Sequence, residues 1–460
     1  MHEQIEKALL EMQHTDESRL PSIRTLMQAY GVSTNTIQKA LKNLEKDGKI
    51  VRIQGKGCFW KGANQTDSFI PKNSAALTIR ESALERLSRQ FQEDWEHGNF
   101  KPYEPLPLSK ELGIRYNVSQ TILRSFLTAK VNQGILERKG RQYNFIQKKE
   151  VHSSAPLGEI IFVTRCNSWG GFTAESEREM DLLRLVYKKA GASKYKLILL
   201  GINENSGTII DRSGKTCKIE DYPNAVGAML STLLVMNPNR LLQLFADVKY
   251  PVAIWWEQPP ESLSLRYLNK LNWSVFNSTF GVQPGAELGK HLISQGIKKT
   301  AFISPYHNSS WSKDRLKGLQ ESGLNVVACT DSEYASPWDY RQIARKNVAK
   351  YSVEAYAREL LKKKLSSIME NSTESEQIPW VCVNDDVASV LIEMSEEGRL
   401  NISKQMFAFD NSAESYLLRL PSYDFNTQAL VDQMFYSIEN PTFNEGQKKI
   451  RQILGQVVEK

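Results

Sequence analysis

The sequence predicts an α/β multidomain chain, with two small helix-and-hairpin units ahead of a two-lobed, doubly wound α/β body. Three observations predict it. An early helix–turn–helix pattern ends in a glycine-rich hairpin signal. The same pattern returns at a constant offset of 86 residues. From Gly158 onward, short apolar runs alternate with amphipathic segments.

The first unit builds up in order. Residues 3–12 read as a helix with Ile5, Leu9 and Met12 on one face. Ser22 N-caps a short helix carrying Leu26. Tyr30-Gly31-Val32-Ser33 is a tight turn, and Ser33 caps the next helix. That helix runs over 34–46, with Ile37, Ala40, Leu41 and Leu44 at core spacing, and Gly48 stops it. Ile50–Ile53 and Cys58-Phe59-Trp60 read as strands around the basic tip Gln54-Gly55-Lys56-Gly57. Helix, helix, turn, helix and hairpin make a winged helix-turn-helix. Its third helix fits a major groove, and its wing glycines allow close approach to a sugar–phosphate chain. A winged helix that only binds protein is the alternative.

The second unit matches the first position by position. Leu106-Pro107 repeats Leu20-Pro21, and Leu112 and Tyr116 repeat Leu26 and Tyr30. Val118-Ser119 repeats Val32-Ser33, Leu127 repeats Leu41, and Gly134 repeats Gly48. A fixed offset held through three helices marks an internal repeat. This copy departs where contacts are expected: Lys110 stands for Arg24, Thr121 for Asn35, and the wing shrinks to Lys139-Gly140-Arg141. It keeps Gln120, Thr121 and Arg124 on the recognition face, for DNA contact or, alternatively, in a dimerising or spacing module.

Domains are expected at 1–62, 77–147 and 157–460, with polar linkers between them. A chain of 460 residues suggests about three. In the body, strands are expected at 159–164, 196–201, 226–230, 251–256, 273–276, 300–304, 380–383 and 406–409. Many are apolar on both faces, as buried parallel strands are. Ligands in such folds sit at the carboxyl ends of the strands.

Charge separates the parts. Residues 1–150 carry 24 Lys and Arg against 17 Asp and Glu, and residues 151–460 carry 35 of each. The whole excess therefore sits with the helical units, as attraction to phosphate requires, although a solvated face has the same composition. The five cysteines lie far apart with no CxxC pair, which fits a reducing cytosol and argues against disulfides or zinc. The six histidines show no metal spacing, and no metal or cofactor is expected. The acidic, amphipathic N-terminus lacks a signal pattern, and no apolar run approaches the roughly 18 residues a bilayer span needs. A cytoplasmic location with no membrane partner is expected.

Leu20-Pro21-Ser22-Ile23-Arg24, Gly31 to Ile37, Leu44 to Gly48 and Gln54 to Gly57 together resemble the GntR family of bacterial regulators. The resemblance implies DNA contacts by Arg24, by Ser33, Thr34, Asn35, Thr36 and Gln38, and by the wing residues Gln54, Gly55 and Lys56. Family members often carry Arg where Asn35 stands. Arg typically reads guanine and Asn adenine, so a different operator is implied.

The body resembles the effector domain of the LacI family and periplasmic sugar-binding proteins. The pieces are Gly285 to Leu292 with Gln295-Gly296, Arg315 to Leu319 with Gly318, Val383-Asn384-Asp385, and Phe407 to Asn411. A GntR-type reader on a LacI-type sensor is the arrangement of arabinose-repressor-like proteins, from which the duplicated reader departs. The resemblance implies that Arg315 and Asp385 grip sugar hydroxyls bidentately. Asp385 also suits a helix N-cap, and Arg315 a surface ion pair. Asp410 at a strand end suits either cleft or cap. Trp169, Phe172 and Trp311 in loops suit stacking on a sugar ring, with Glu257 as a hydroxyl acceptor. Core packing is the alternative for the aromatics, above all Trp255.

The expectation is a ligand-responsive transcription regulator without enzymatic activity: a homodimer on double-stranded operator DNA, with a small-molecule effector, a monosaccharide. The competing readings are a non-sugar sensor, a pyridoxal-phosphate enzyme body and an exported sugar carrier.

Overall fold

A computed structural model describes residues 10, 20–21, 23, 26, 32, 34–53, 57–60, 82–146, 158–166, 171, 176–193, 195–347, 352–370, 377–403, 405–441 and 450–460. The chain divides into two compact units, Met1–Arg80 and Glu81–Lys460.

In the first unit, α1 (Thr34–Lys46) buries Ile37, Ala40, Leu41 and Leu44, the stripe that its periodicity predicts. Gly48 adopts φ +69° and ends the helix, its N–H donating to the Glu45 carbonyl. Strands β1 (Ile50–Ile53) and β2 (Gly57–Trp60) pair antiparallel, with Ile50 opposite Trp60. Leu20 N–H donates to the Cys58 carbonyl at 2.9 Å, and Leu20, Leu26, Ile50 and Trp60 complete the core.

The second unit opens with α2 (Ala83–Glu96), α3 (Ser109–Arg115), α4 (Gln120–Asn132) and an antiparallel hairpin of β3 (Leu136–Lys139) and β4 (Gln142–Phe145). A reciprocal cap between Ser82 and Glu85 starts α2. The end of α4 reproduces the end of α1: Gly134 adopts φ +70°, its N–H donates to Val131, and Ile135 N–H donates to Lys130. These are the bonds of Gly48 to Glu45 and Lys49 to Leu44, shifted by the offset seen in the sequence. The second hairpin pairs Leu136 with Phe145, one residue tighter than Ile50 with Trp60.

This helical module shares its core with the body. Tyr436 lies among Trp95, Phe100 and Phe145, with its ring centroid 5.0 Å from Trp95 at 72°. Gln433 Nε2 donates to the Trp95 carbonyl at 3.0 Å, Tyr436 hydroxyl to the Ile146 carbonyl at 3.1 Å, and Leu454 N–H to the His97 carbonyl at 2.8 Å. The linker expected at 148–156 lies outside the described residues.

The body has two lobes. The chain first forms β5 (Glu159–Arg165), α5 (Glu177–Ala192), β6 (Lys196–Asn203), β7 (Thr208–Ile210), β8 (Thr216–Cys217) and β9 (Ala225–Ser231). It continues through α6 (Pro238–Leu244), β10 (Val252–Trp255), α7 (Leu265–Leu268) and β11 (Trp273–Asn277). The other lobe contains α8 (Gln283–Ser294), β12 (Lys299–Ser304), α9 (Ser310–Glu321), β13 (Asn325–Thr330), α10 (Pro337–Asn347) and α11 (Val353–Glu370). Next come β14 (Trp380–Cys382), α12 (Asp385–Glu396), β15 (Met406–Phe409), α13 (Ala413–Leu417) and β16 (Ser422–Asp424). The chain then returns as α14 (Thr427–Glu439), β17 (Arg451–Gln452) and β18 (Gln456–Val458).

The first sheet has the order β17-β11-β10-β9-β5-β6-β7-β8, parallel except at β7 and β8. The second is β13-β12-β14-β15-β16-β18, parallel except at β18. The backbone therefore passes between lobes three times: after β11, between β16 and α14, and between β17 and β18. Gly455 is required at the last crossing, because a Cβ there would stand 1.8 Å from the Asp424 carbonyl oxygen. Among the described residues, no helix is long and apolar enough to cross a membrane.

Trp95→Ala removes the ring that joins the module's core to Tyr436. A loss of about 3–5 kcal/mol is expected in urea unfolding, with earlier proteolytic release of the helical module.

Candidate functional site

A cleft of about 610 Å³ opens at the carboxyl ends of strands from both lobes. One wall comes from the first lobe. Arg178, in the opening turn of α5, donates from Nη1 to Thr279 Oγ1 at 2.7 Å and from Nη2 to Ser278 Oγ at 3.0 Å. Both nitrogens also approach Glu257 Oε2 at 3.3 Å. Glu257 accepts in turn from the Trp255 indole at 2.7 Å and from Ser278. It is therefore a saturated anchor for Arg178, and has no capacity left for the ligand hydroxyl expected of it. Trp255 and Trp256 are fully buried, the core alternative.

The facing wall is built by α9. Arg315 is 2% exposed, and its Nη1 donates to the Val383 carbonyl. Two glycines explain its position. A Cβ on Gly285 would stand 2.2 Å from the Arg315 carbonyl oxygen, and one on Gly318 would stand 2.0 Å from that of Val282. The bare backbones let α8 and α9 close together, and this sets Arg315 at the cleft floor. Its guanidinium carbon lies 4.7 Å from the Trp311 ring centroid and 4.6 Å from that of Phe409, so Trp311 is both lining and platform. Burial lowers the Arg315 pKa to about 10, which leaves it a cation at neutral pH.

Asp410 follows β15 and faces Arg315 at 3.8 Å, beyond a tight ion pair. Its backbone is held at φ +108°, a region that side chains rarely adopt, while its N–H donates to Tyr423 at 3.0 Å. Enclosure raises its carboxyl pKa to about 6, with Arg315 acting in the opposite direction. Arg315 Nε and Arg178 Nε are both buried without a hydrogen-bond partner among the described residues. Phe425, in the second inter-lobe crossing, lies 4.7 Å from the Arg178 guanidinium and 5.1 Å from that of Arg315. The two cations thus meet at one ring, each with a donor unspent.

Asp385 does not line the cleft. It is 1% exposed, and its carboxylate accepts from Ser412 N–H at 2.7 Å, Ser412 Oγ at 2.8 Å and Ser422 Oγ at 2.6 Å. It ties α12 to the strands beside it. Its neighbour Asn384 lines the cleft instead, while its Oδ1 caps α12 by accepting from Val387 N–H. Asn277 is likewise structural, donating to the Trp256 and Gln258 carbonyls. Trp169 and Phe172 lie outside the described residues. Sequence reasoning missed Arg178, which sits in no motif; the available signal was an arginine in the opening turn of the helix after the body's first strand.

Of the expected DNA contacts, Arg24, Ser33, Gln54, Gly55 and Lys56 lie outside the described residues. Thr34 and Asn35 are placed in the first turn of α1 as backbone only. Thr36 is half-buried and Gln38 exposed on the same helix. On α4, Thr121 and Arg124 are exposed, while Gln120 Nε2 donates to the Ser109 carbonyl at 3.0 Å and holds α4 to α3. Part of the second module's basic charge is spent internally, in Arg115 with Asp94 and Lys139 with Glu137.

Comparison with known proteins bears on both ends of the chain. Residues 1–59 match the family described as bacterial regulatory proteins, gntR family, so the chain carries a GntR-type domain at its N-terminus. No curated protein matches the chain. Among solved structures, a LacI-family transcriptional regulatory protein from Corynebacterium glutamicum aligns with 12% identity and a TM-score of 0.37, covering 65% of this chain and 96% of that one. A periplasmic binding ribose operon repressor protein from Lactobacillus acidophilus aligns with 11% identity and a TM-score of 0.38, over 65% and 96%. An ABC transporter periplasmic solute binding protein from Actinobacillus succinogenes, with bound D-allose, aligns with 10% identity and a TM-score of 0.43, over 66% and 98%.

The two aspartates are expected to separate on mutation. Asp385→Ala strands three donors and costs about 1–3 kcal/mol of stability in thermal unfolding. Asp410→Ala leaves the fold intact and acts on the cleft.

Proposed function

We propose that this chain is a ligand-responsive transcription regulator, in which a small polyhydroxylated molecule, a monosaccharide, controls binding to operator DNA. The observation that carries the effector reading is the pair Arg178 and Arg315. They come from opposite lobes, meet at Phe425, and keep buried Nε–H donors unpaired. Both residues line the cleft, where a guanidinium offers charge-assisted hydrogen bonds to a ligand oxygen. Asp410 adds an acceptor, and Asn384 and Trp311 complete a surface that suits hydroxyls and the C–H face of a ring.

The DNA reading rests on the GntR-type domain, with α1 as the groove helix and Arg24, Ser33, Thr34, Asn35, Thr36 and Gln38 as its contacts. We read residues 82–146 as a second winged helix-turn-helix. The shared helix termination at Gly48 and Gly134 and the paired hairpins support this. Thr121 and Arg124 are its contact candidates, and Gln120 is a packing residue. A homodimer on a two-fold operator follows from the need for two half-sites.

Effector binding is expected to depend on Asp410 ionisation. A carboxylate accepts hydroxyl protons and a neutral carboxyl does so poorly. Affinity is therefore full above the folded pKa of about 6 and falls as pH drops through it. Calorimetry with the best monosaccharide should show Kd rising about tenfold from pH 7 to pH 5. Arg315→Ala should abolish measurable binding, and unchanged affinity in that variant sinks the cleft assignment.

On DNA, Arg24→Ala and Gln38→Ala should each weaken binding about tenfold with the unfolding midpoint unchanged. Fluorescence anisotropy on an operator selected from random duplexes gives the answer. Thr121→Ala with Arg124→Ala weakens binding only if the second module also reads DNA.

A further inference from the structure

A second pocket, of about 200 Å³, lies among α10, α11 and α12 of the second lobe. Its polar lining is Tyr306, Tyr340, Arg341, Glu354, Arg358 and Asp386. Tyr306 and Tyr340 are 0% and 3% exposed, yet neither hydroxyl has a hydrogen-bond partner among the described residues. Buried hydroxyls are normally satisfied, so two without a partner on residues of one pocket single it out. The rings are held firmly. Tyr306 and Tyr340 pack edge to face at 5.8 Å, and Tyr334 backs Tyr340 at 4.6 Å.

The charges around these hydroxyls are mixed. Arg358 gives Nε to Glu393 and Nη2 to Ser389 Oγ at 3.0 Å. Its remaining nitrogen, Nη1, stands 3.7 Å from Asp386, leaving donor capacity toward the pocket. Arg341 contributes a second guanidinium, and Asp386 and Glu354 contribute two carboxylates. A simple oxyanion would be repelled by the carboxylates, and a simple cation by the arginines. A molecule carrying both charges satisfies both sets.

We propose that this pocket binds a small zwitterion of the α-amino acid class, as a second effector distinct from the ligand of the inter-lobe cleft. Its carboxylate accepts hydrogen bonds from the tyrosine hydroxyls and guanidiniums, and its ammonium group donates to Asp386 and Glu354. The site is mechanically joined to the cleft. Pro337 lines both cavities, and the Tyr306 ring lies 6.1 Å from Trp311. Ser309, which caps α9, donates from Oγ to the Tyr306 carbonyl at 2.7 Å. Helix α9 carries Arg315, so an occupant that fixes Tyr306 also fixes the wall against which the cleft ligand binds.

The test is thermal unfolding and calorimetry of the full-length protein with L-α-amino acids added singly at millimolar concentration. A subset is expected to raise the unfolding midpoint. Arg341→Gln should weaken the response about tenfold or more in apparent affinity. Tyr340→Phe should also weaken it while leaving the ligand-free midpoint equal or higher, since an unpartnered hydroxyl is removed. The proposal is overturned if no amino acid moves the midpoint, or if the response survives Arg341→Gln combined with Tyr340→Phe. It is equally overturned if inorganic phosphate alone responds through these residues. A response lost in Arg315→Ala but kept in Arg341→Gln belongs to the cleft and overturns it as well.

Discussion

Two guanidinium groups of like charge, one from each lobe, stand within about 5 Å of the same phenylalanine ring. The rest of the body is arranged around that tension. Glu257 neutralises Arg178 and is held by Trp255, Ser278 and Thr279. Arg315 has no equivalent: its carboxylate neighbour stays at 3.8 Å, on a strained backbone and with a raised pKa. The second wall is thus left short of one acceptor.

The crossings make this local event matter elsewhere. Phe425 sits between β16 and α14, and α14 runs from the crossing into the core of the helical module through Gln433 and Tyr436. The third crossing touches the same module, through the Leu454 N–H on His97. The two crossings thus join the cleft region to residues 82–146 through packed side chains and backbone hydrogen bonds.

Much of the fold was legible because its signals are local. All eight expected strands are present: most are apolar runs buried on both faces, a pattern that survives without knowledge of neighbours. The strands not foreseen are of a different kind. β7, β8, β16, β17 and β18 have two or three residues each, and β13 lies at a sheet edge with several positions half-exposed. Their existence depends on a partner strand and not on composition. The second module was legible for the same local reason, since the glycine that ends its last helix lies at the sequence offset from Gly48. Its attachment to the body was not, because Tyr436 stands some three hundred residues away from Trp95 in the chain.

The sequence by itself determined the element types, the GntR-type segment and the two helical units. Each follows from periodicity, capping chemistry or a short motif. Only the tertiary structure decided which polar groups were spent and which were left over. Asp385 and Asp410 are alike as residues, but three serine donors consume the first and a strained strand end leaves the second facing a buried cation. Glu257 looked available until Arg178, from a distant helix, was found holding it. A hydrogen bond is used once, and the accounting closes only when every neighbour in space is known.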